Sequence, residues 1–373
     1  VTICIDATPL DNSNRFRGIG RYVEGLLSGF EELGHEAPIM QLRLAGWSRK
    51  SPHVPLKTAL IRRPAWLPVR LQWIFNELLL PFAIRQTKAT VFHATDPNAI
   101  PISHAYKTVI TVHDMIPSVF PRDYLTSWIK RWAYRSRLEH YRKADHLIAV
   151  SEATRSDIVQ FLGIEPSRIT VIQEGYDSDL FKPLLNVIPA QHGLPDRFFL
   201  YVGAQDARKN IVTLLRAYAK VHKDLQEKLI FSGKLTTRQL MIFNTWVRKL
   251  ELERDVFNLG FVSSEMLSIL YSCATAFVFP SRYEGFGLPV LEALACGCPV
   301  IASNSSSIPE VVGDAGILID VEDDESLALS LHTISHSETL RTQLKGKAII
   351  QASKFSWKRC AEETLRVYRH FFS

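Results

Sequence analysis

Short runs of β-branched and aliphatic residues alternate with longer amphipathic stretches along the whole chain, and the alternation stops once and then restarts. In the first pass, strands are expected at Thr2–Ile5, Ala37–Gln41, Ala89–His93, Thr108–His113, His146–Val150 and Ile169–Gln173. Helical patterns lie between them at Gly20–Leu33, Leu125–Arg142 and Glu152–Leu162. From Tyr176 to Arg197 periodicity is lost, and Pro183, Pro189, Gly193 and Pro195 make a linker composition. The second pass has strands at Phe198–Val202, Leu229–Ser232, Val256–Leu259, Thr275–Phe279 and Pro299–Ala302. Its helices are expected at Lys209–His222, Thr237–Leu250, Ser264–Cys273 and Pro289–Ala295. Strands alternating with helices imply parallel sheets covered on both faces. The expectation is an α/β chain of two doubly wound domains, 1–183 and 184–356, hinged near residue 185. Ligands of such sheets bind outside the carboxyl ends of the strands, which places them in a cleft between the domains. The last helix, within 357–373, either closes its own domain or crosses back to the first.

A length of 373 residues is too great for one ordinary core and suits two. With 46% hydrophobic and 22% charged residues, the chain is globular and not disordered. No run reaches the length of a membrane span: the longest near the front, Trp73 to Ile84, is broken by Asn76 and Glu77. Val1–Ile5, with Asp6 directly after it, reads as a strand and not as a signal peptide. The five cysteines are odd in number and lack zinc-type pairs, which fits a reducing cytoplasm. Cys296-Gly297-Cys298 reads as small residues packed at a helix end, not as a redox motif.

The most informative segment is Phe279-Pro280-Ser281-Arg282-Tyr283-Glu284-Gly285-Phe286-Gly287-Leu288-Pro289-Val290-Leu291-Glu292, which leaves a strand and opens a helix. Gly285 and Gly287 let the backbone approach a ligand, and Pro289 suits the first helical turn. Amides at a helix start face an anion, so a diphosphate can sit there. Glu284 precedes the turn and Glu292 lies about one helical turn inside, so two carboxylates flank the nest and can accept bonds from sugar hydroxyls. An ordinary glycine-rich turn with solvated acids is the plainer alternative.

Glu284 and Glu292 form an E-x7-E signature around EGFGLP, and in this the chain resembles glycosyltransferase family 4. The resemblance continues in Val300–Asn304 and in Pro309-Glu310-Val311-Val312-Gly313-Asp314-Ala315-Gly316. Further upstream it includes Tyr201-Val202-Gly203, Arg208-Lys209-Asn210, Gly260-Phe261-Val262, Val112-His113-Asp114, Val150–Thr154 and Arg17–Tyr22, nearly the whole chain in order. It implies the GT-B fold, two Rossmann-like domains facing across a cleft, and a retaining transferase. By the resemblance, Glu292 binds donor ribose hydroxyls, while Glu284, with the amides of Phe286, Gly287 and Leu288, holds the transferred sugar and distal phosphate. Lys209 neutralises the diphosphate, as a leaving group that gains negative charge requires. Arg208 and Gly203 belong to the same donor site, Phe261 and Val262 lie beside the nucleobase, and Gly18 and Gly20 admit the donor phosphates. His113 lies near the reacting sugar, with Asp114, Arg17 and Arg21 expected toward the acceptor. Catalysis is thus assigned to His113, Glu284 and Lys209, with no metal and no cofactor beyond the nucleotide-sugar.

Two positions depart from the family pattern. Ala204 stands where an arginine that contacts phosphate is usual, with Arg208 as a candidate substitute. Glu174-Gly175 replaces a common Asn-Gly, which alters a turn or an acceptor contact. Asp177-Ser178-Asp179 has the form of a metal-binding triplet, yet it falls at the linker entry and matches a turn of the family. His93, His104 and His140 lack ligand spacing and read as surface or structural residues.

Net charge is +6, but Arg43–Lys143 alone carries 17 Lys and Arg against 5 Asp and Glu, so the rest of the chain is net acidic. Such a block calls for an anionic partner, and no nucleic-acid motif accompanies it. It holds Arg62, Arg63, Trp66, Arg70 and Trp73, then Trp128, Lys130, Arg131, Trp132, Arg135, Arg137, Arg142 and Lys143. Basic side chains beside tryptophan suit an anionic membrane surface. The expectation is a cytoplasmic enzyme, peripheral on the inner face of the cell membrane, extending a glycan or lipid-linked glycan. The Arg208-Lys209-Asn210 and Val112–Pro117 variants resemble mannosyltransferases of surface polysaccharide, so GDP-mannose is the first donor and a UDP-hexose the alternative. A nucleotide-sugar epimerase and a non-catalytic partner subunit are the readings of other classes.

Overall fold

The computed structural model of the chain describes residues 2–11, 15, 18–34, 39–44, 57–61, 80–96, 105–185, 187–203 and 206–371. Of the residues singled out above, Arg17, Ala204, His104 and the block from Arg62 to Trp73 lie outside them. The chain divides into two compact units, Val1–Gly175 with Ser356–Ser373, and Tyr176–Phe355.

The first unit holds strands β1 (Ile3–Asp6), β2 (Ile39–Leu44), β3 (Lys57–Ile61), β4 (Val91–Ala94), β5 (Lys107–Val112), β6 (His146–Ala149) and β7 (Ile169–Val171). They form one sheet in the order β3-β2-β1-β4-β5-β6-β7, every neighbouring pair parallel. Its helices include α1 (Gly18–Glu32), α2 (Leu80–Gln86), α3 (Ile116–Val119), α4 (Pro121–Tyr124), α5 (Trp128–Lys143) and α6 (Glu152–Leu162). Strands β1, β4, β5 and β6 are short, largely apolar runs buried on both faces, as parallel sheets require. One face packs Leu80, Ile84, Tyr141, Ile158 and Leu162; the other packs Tyr22, Val23, Leu26, Leu27 and Phe30 of α1. The C-terminal helix Trp357–Arg369 belongs to this unit and lies against α1. Gly25 and Gly29 make that contact possible. A Cβ on Gly25 would sit 2.1 Å from the Trp357 ring, and one on Gly29 would sit 2.3 Å from the Trp357 carbonyl oxygen.

The second unit holds β8 (Phe198–Val202), β9 (Lys228–Ser232), β10 (Val256–Asn258), β11 (Ala276–Phe279), β12 (Val300–Ser303) and β13 (Gly316–Ile319). Their order is β10-β9-β8-β11-β12-β13, again all parallel. The helices are α7 (Ile211–Val221), α8 (Thr237–Lys249), α9 (Ser264–Cys273), α10 (Leu288–Ala295), α11 (Ile308–Val312), α12 (Asp324–His336) and α13 (Glu338–Ala352). In both units the strand order reverses between the first and fourth strands. At such a switch point the loops leave in opposite directions and open a crevice at the carboxyl ends. In the second unit that crevice lies between β8 and β11.

Strands β3 and β13 and helices α12 and α13 go beyond the elements read from sequence. The helix expected from Lys209 begins two residues later, after a turn of 3-10 helix at Ala207–Lys209. Asn210, at φ 56°, separates the two. No helix among the described residues is long and apolar enough to cross a membrane.

Candidate functional site

The loop after β8 and the loop after β11 dock on each other at the switch point. Backbone Arg282 N donates to the Arg208 carbonyl at 2.6 Å, and Arg208 Nη1 donates to the Tyr283 carbonyl at 2.8 Å. This docking carries Lys209 and Arg208 to Glu284. Lys209 Nζ donates to Glu284 Oε1 at 2.6 Å, Arg208 Nη1 approaches Oε2 at 2.7 Å, and Ser281 Oγ donates to Oε1 at 2.5 Å. Lys209 also lies 4.6 Å from the centre of the Phe279 ring, a favourable cation–π distance.

The cluster is buried, with Lys209 9% and Glu284 8% exposed. Burial by itself raises the Glu284 carboxyl, but Lys209 and then Arg208 outweigh it and bring the group down to about 2. Burial pulls Lys209 below the ordinary lysine value, and Glu284 draws it back only in part. Asp206 Oδ2 stands 3.8 Å from Arg208 Nε, so Arg208 is shared between two carboxylates, and Lys209 and Arg208 bring two cations together beside Glu284, within reach of an anionic ligand.

Serines hold the second loop from behind. The Glu284 amide donates to Ser306 Oγ at 2.9 Å, and Ser307 Oγ donates to the carbonyls of Glu284 and Phe286 at 3.0 and 2.7 Å. Ser305 Oγ donates to the Arg282 carbonyl at 2.7 Å, and Ser303 Oγ to that of Ser281. Sequence reasoning passed over Ser305, Ser306 and Ser307, and quoted Ser303 within Val300–Asn304 without a role. Their one visible signal is the serine-rich run Ser303-Asn304-Ser305-Ser306-Ser307 directly after a strand.

Gly287, at φ 118°, caps α10 in a conformation that strains any other residue, and a Cβ there would meet Ile308 at 3.0 Å. Phe286 and Leu288 on either side are buried. Glu292 lies inside α10, 2% exposed, with the Tyr271 hydroxyl 3.5 Å from Oε2. Gly203 ends β8 at φ 153°, its amide bonded to the Ser232 carbonyl. Gly260 turns the chain at φ 67° after β10 and leaves Phe261 66% exposed, with Val262 half-buried beside it. So Glu284, Lys209 and Arg208 come together, while Phe261 and Val262 belong to the outer loop of β10. Asp177 spends Oδ1 on the amides of Asp179 and Leu180, both at 3.1 Å, which is turn capping. Cys296 and Cys298 are buried free thiols at the end of α10.

In the first unit, His113 follows β5 and is clamped from two sides. Its Nε2 is 3.0 Å from the Thr95 carbonyl, and Nδ1 is 3.5 Å from Glu174 Oε1. A carbonyl and a carboxylate both only accept, so the ring that satisfies both is the imidazolium. Burial opposes the charge, yet Glu174 outweighs it and the His113 pKa is raised. Glu174 thus acts on a side chain 61 positions away, a contact the departure at this position did not reveal. Asp114 Oδ1 accepts from the Ile116 amide at 3.0 Å and shapes the turn into α3. Gly18 and Gly20 open α1, Gly18 exposed and Gly20 buried, with Arg21 half-buried after them. His93 is fully buried between Tyr368 and Thr111, and His140 bonds the Ser136 carbonyl. Both are structural.

Two family models cover most of the chain: Glycosyltransferase Family 4 matches residues 16–180, and Glycosyl transferases group 1 matches residues 187–351. An O-antigen chain mannosyltransferase B of Escherichia coli is 30% identical over 332 residues, 86% of this chain and 84% of that protein. The O-antigen chain mannosyltransferase RfbU of Salmonella typhimurium is 29% identical over 279 residues, 74% of this chain and 72% of the relative. In fold the chain is similar to a sucrose-phosphate synthase from Thermosynechococcus elongatus, with TM-score 0.81 at 22% identity, over 100% of this chain and 99% of the other. The fold class is GT-B, two Rossmann-like domains in tandem. The chain belongs to glycosyltransferase family 4 and is a hexosyltransferase.

Proposed function

We propose that the chain transfers mannose from GDP-mannose, with retention, to a hydroxyl of a lipid-linked glycan during polysaccharide synthesis at an anionic membrane surface. The buried Glu284–Lys209–Arg208 cluster at the switch point carries the reading of the donor site. A nucleotide-sugar brings a diphosphate, and the paired cations Lys209 and Arg208 can take its oxygens. Lys209 and Arg208 then stabilise the charge that grows on the leaving diphosphate as the sugar–oxygen bond breaks. In this reading they supply the positive charge with no metal ion. Glu284, held ionised, accepts hydrogen bonds from hydroxyls of the transferred sugar. The acceptor oxygen forms the new bond on the face the diphosphate leaves, and its proton passes to a diphosphate oxygen. The roles of Glu292 at the ribose, Phe261 and Val262 at the base, and Gly18 and Gly20 at the phosphates belong to the same proposal. Mannose is favoured over other hexoses because the two relatives described are mannosyltransferases by name.

A thermal-shift panel of GDP, UDP, ADP and their sugars tests the donor assignment. A ligand at a hundredfold its Kd stabilises the native state by about 2.7 kcal/mol. GDP and GDP-mannose are expected to raise the midpoint, and Lys209→Ala to abolish the rise. A shift with UDP compounds alone moves the donor to a UDP-hexose, and a shift with none removes the donor site.

A further inference from the structure

Helix α5 turns Tyr134, Leu138 and Tyr141 inward, the spacing of one helical face. Its other side exposes large apolar groups: Trp128 is 75% exposed, Ile129 57% and Trp132 57%. At 100° per residue, Arg131 and Arg135 form a row between those indoles and the buried side. Arg122 joins them from α4, and with Pro121, Leu125 and Tyr134 the three arginines line a cavity of about 240 Å³. Arg131 Nε donates to the Leu125 carbonyl at 3.0 Å, which fixes its guanidinium at the rim. None of the three arginines meets a carboxylate among the described residues. From Pro121 to Lys143 seven Lys and Arg stand against Asp123 and Glu139, and Glu139 is held by Arg142.

We infer that this face is the membrane attachment site of the chain: the arginine cavity takes the phosphate of an anionic phospholipid, and Trp128, Ile129 and Trp132 enter the interface beside it. The inference rests on the proposal that the enzyme works at an anionic membrane, and it names where. Guanidinium groups pair with phosphate oxygens in a fork geometry, and indoles settle at the headgroup boundary. Trp128 and Trp132, one turn apart beside the arginines, join an amphipathic ring pair to a row of cations, the combination that a headgroup boundary takes. All of these residues are exposed, and among the described residues the one side-chain bond that ties them to the unit is Arg131 to the Leu125 carbonyl, so their replacement leaves the fold intact.

The test is sedimentation of the full chain with vesicles of phosphatidylcholine, alone or mixed equally with phosphatidylglycerol. The native chain is expected to bind the mixed vesicles and release from them as salt is raised. Replacing Arg122, Arg131 and Arg135 by Gln weakens binding about fivefold per arginine. Trp128→Ala with Trp132→Ala weakens it about tenfold, and both sets keep the native thermal midpoint and the GDP-induced shift. Native-like binding by both sets overturns the attachment site while the membrane reading stands. Failure of the native chain to bind mixed vesicles overturns both. Equal binding to neutral vesicles overturns the assignment to an anionic phospholipid.

Discussion

Lys209 is held by Glu284 at 2.6 Å, by the Phe279 ring and against a second cation, Arg208. Under the proposed function, a buried lysine so placed keeps its carboxylate partner before the donor arrives and meets the diphosphate when it does. The first unit sets up a different charge. With Nδ1 toward Glu174 and Nε2 toward the Thr95 carbonyl, the His113 ring offers its cationic charge and no unengaged nitrogen. Because the folded-state pKa is raised, the pair stabilises the fold fully below the unfolded histidine value of about 6.5, and the gain is lost as pH rises through the folded value. Glu174→Asn is therefore expected to lower stability between about pH 5 and 6.5, by on the order of 2 kcal/mol, and the deficit should shrink above that window. Denaturant melts of both proteins across pH check this; a pH-independent difference contradicts it. Glu284 and Lys209 were legible because each stands in a motif with its own chemistry. The serines at 303 and 305–307 were not, since they act only through backbone atoms that the fold brings near. Glu174 stood out as a departure, but no spacing links it to His113.

At the scale of elements, the strands read from sequence end within three residues of those observed, because a strand covered on both faces must be a continuous apolar run. β3 escaped because KTALI lies in the basic block, whose charge masks the pattern. β13 escaped because GILI is short and begins on Gly316, the last residue of the signature that opens at Pro309. The helix expected from Leu125 starts at Trp128 as α5, where the Ser127 side chain accepts from Lys130 N, and the separate turn α4, opened by Pro121, ends before it at Tyr124. The C-terminal helix depends on the two glycines of α1. Gly29→Ala puts a Cβ against backbone, not against a movable side chain. It should destabilise the first unit by about 1–3 kcal/mol, whereas Ser28→Ala on the exposed side should be nearly silent. Equal thermal midpoints for the two variants would mean that the helix contact relaxes freely.

Across the whole molecule, one sheet design is used twice, and the two copies carry different charges. The second unit sets Lys209 and Arg208 beside Glu284 at its switch point, where a diphosphate is the proposed ligand. The first carries its positive charge on exposed helices, where a surface is the expected partner. Composition alone showed the imbalance between Arg43–Lys143 and the rest of the chain. It could not show that Arg122, Arg131 and Arg135 share a cavity, because that depends on how α4 meets α5. The central claim is that the loops after β8 and β11 grip a nucleotide-sugar for transfer. It is tested most directly by the rate of mannose transfer from GDP-mannose to a lipid-linked glycan acceptor, with a chelator present, for the native chain, Lys209→Ala and Glu284→Gln. The native chain is predicted to transfer, and each variant to lose about a hundredfold or more in kcat. Variants that keep the native rate would contradict the account.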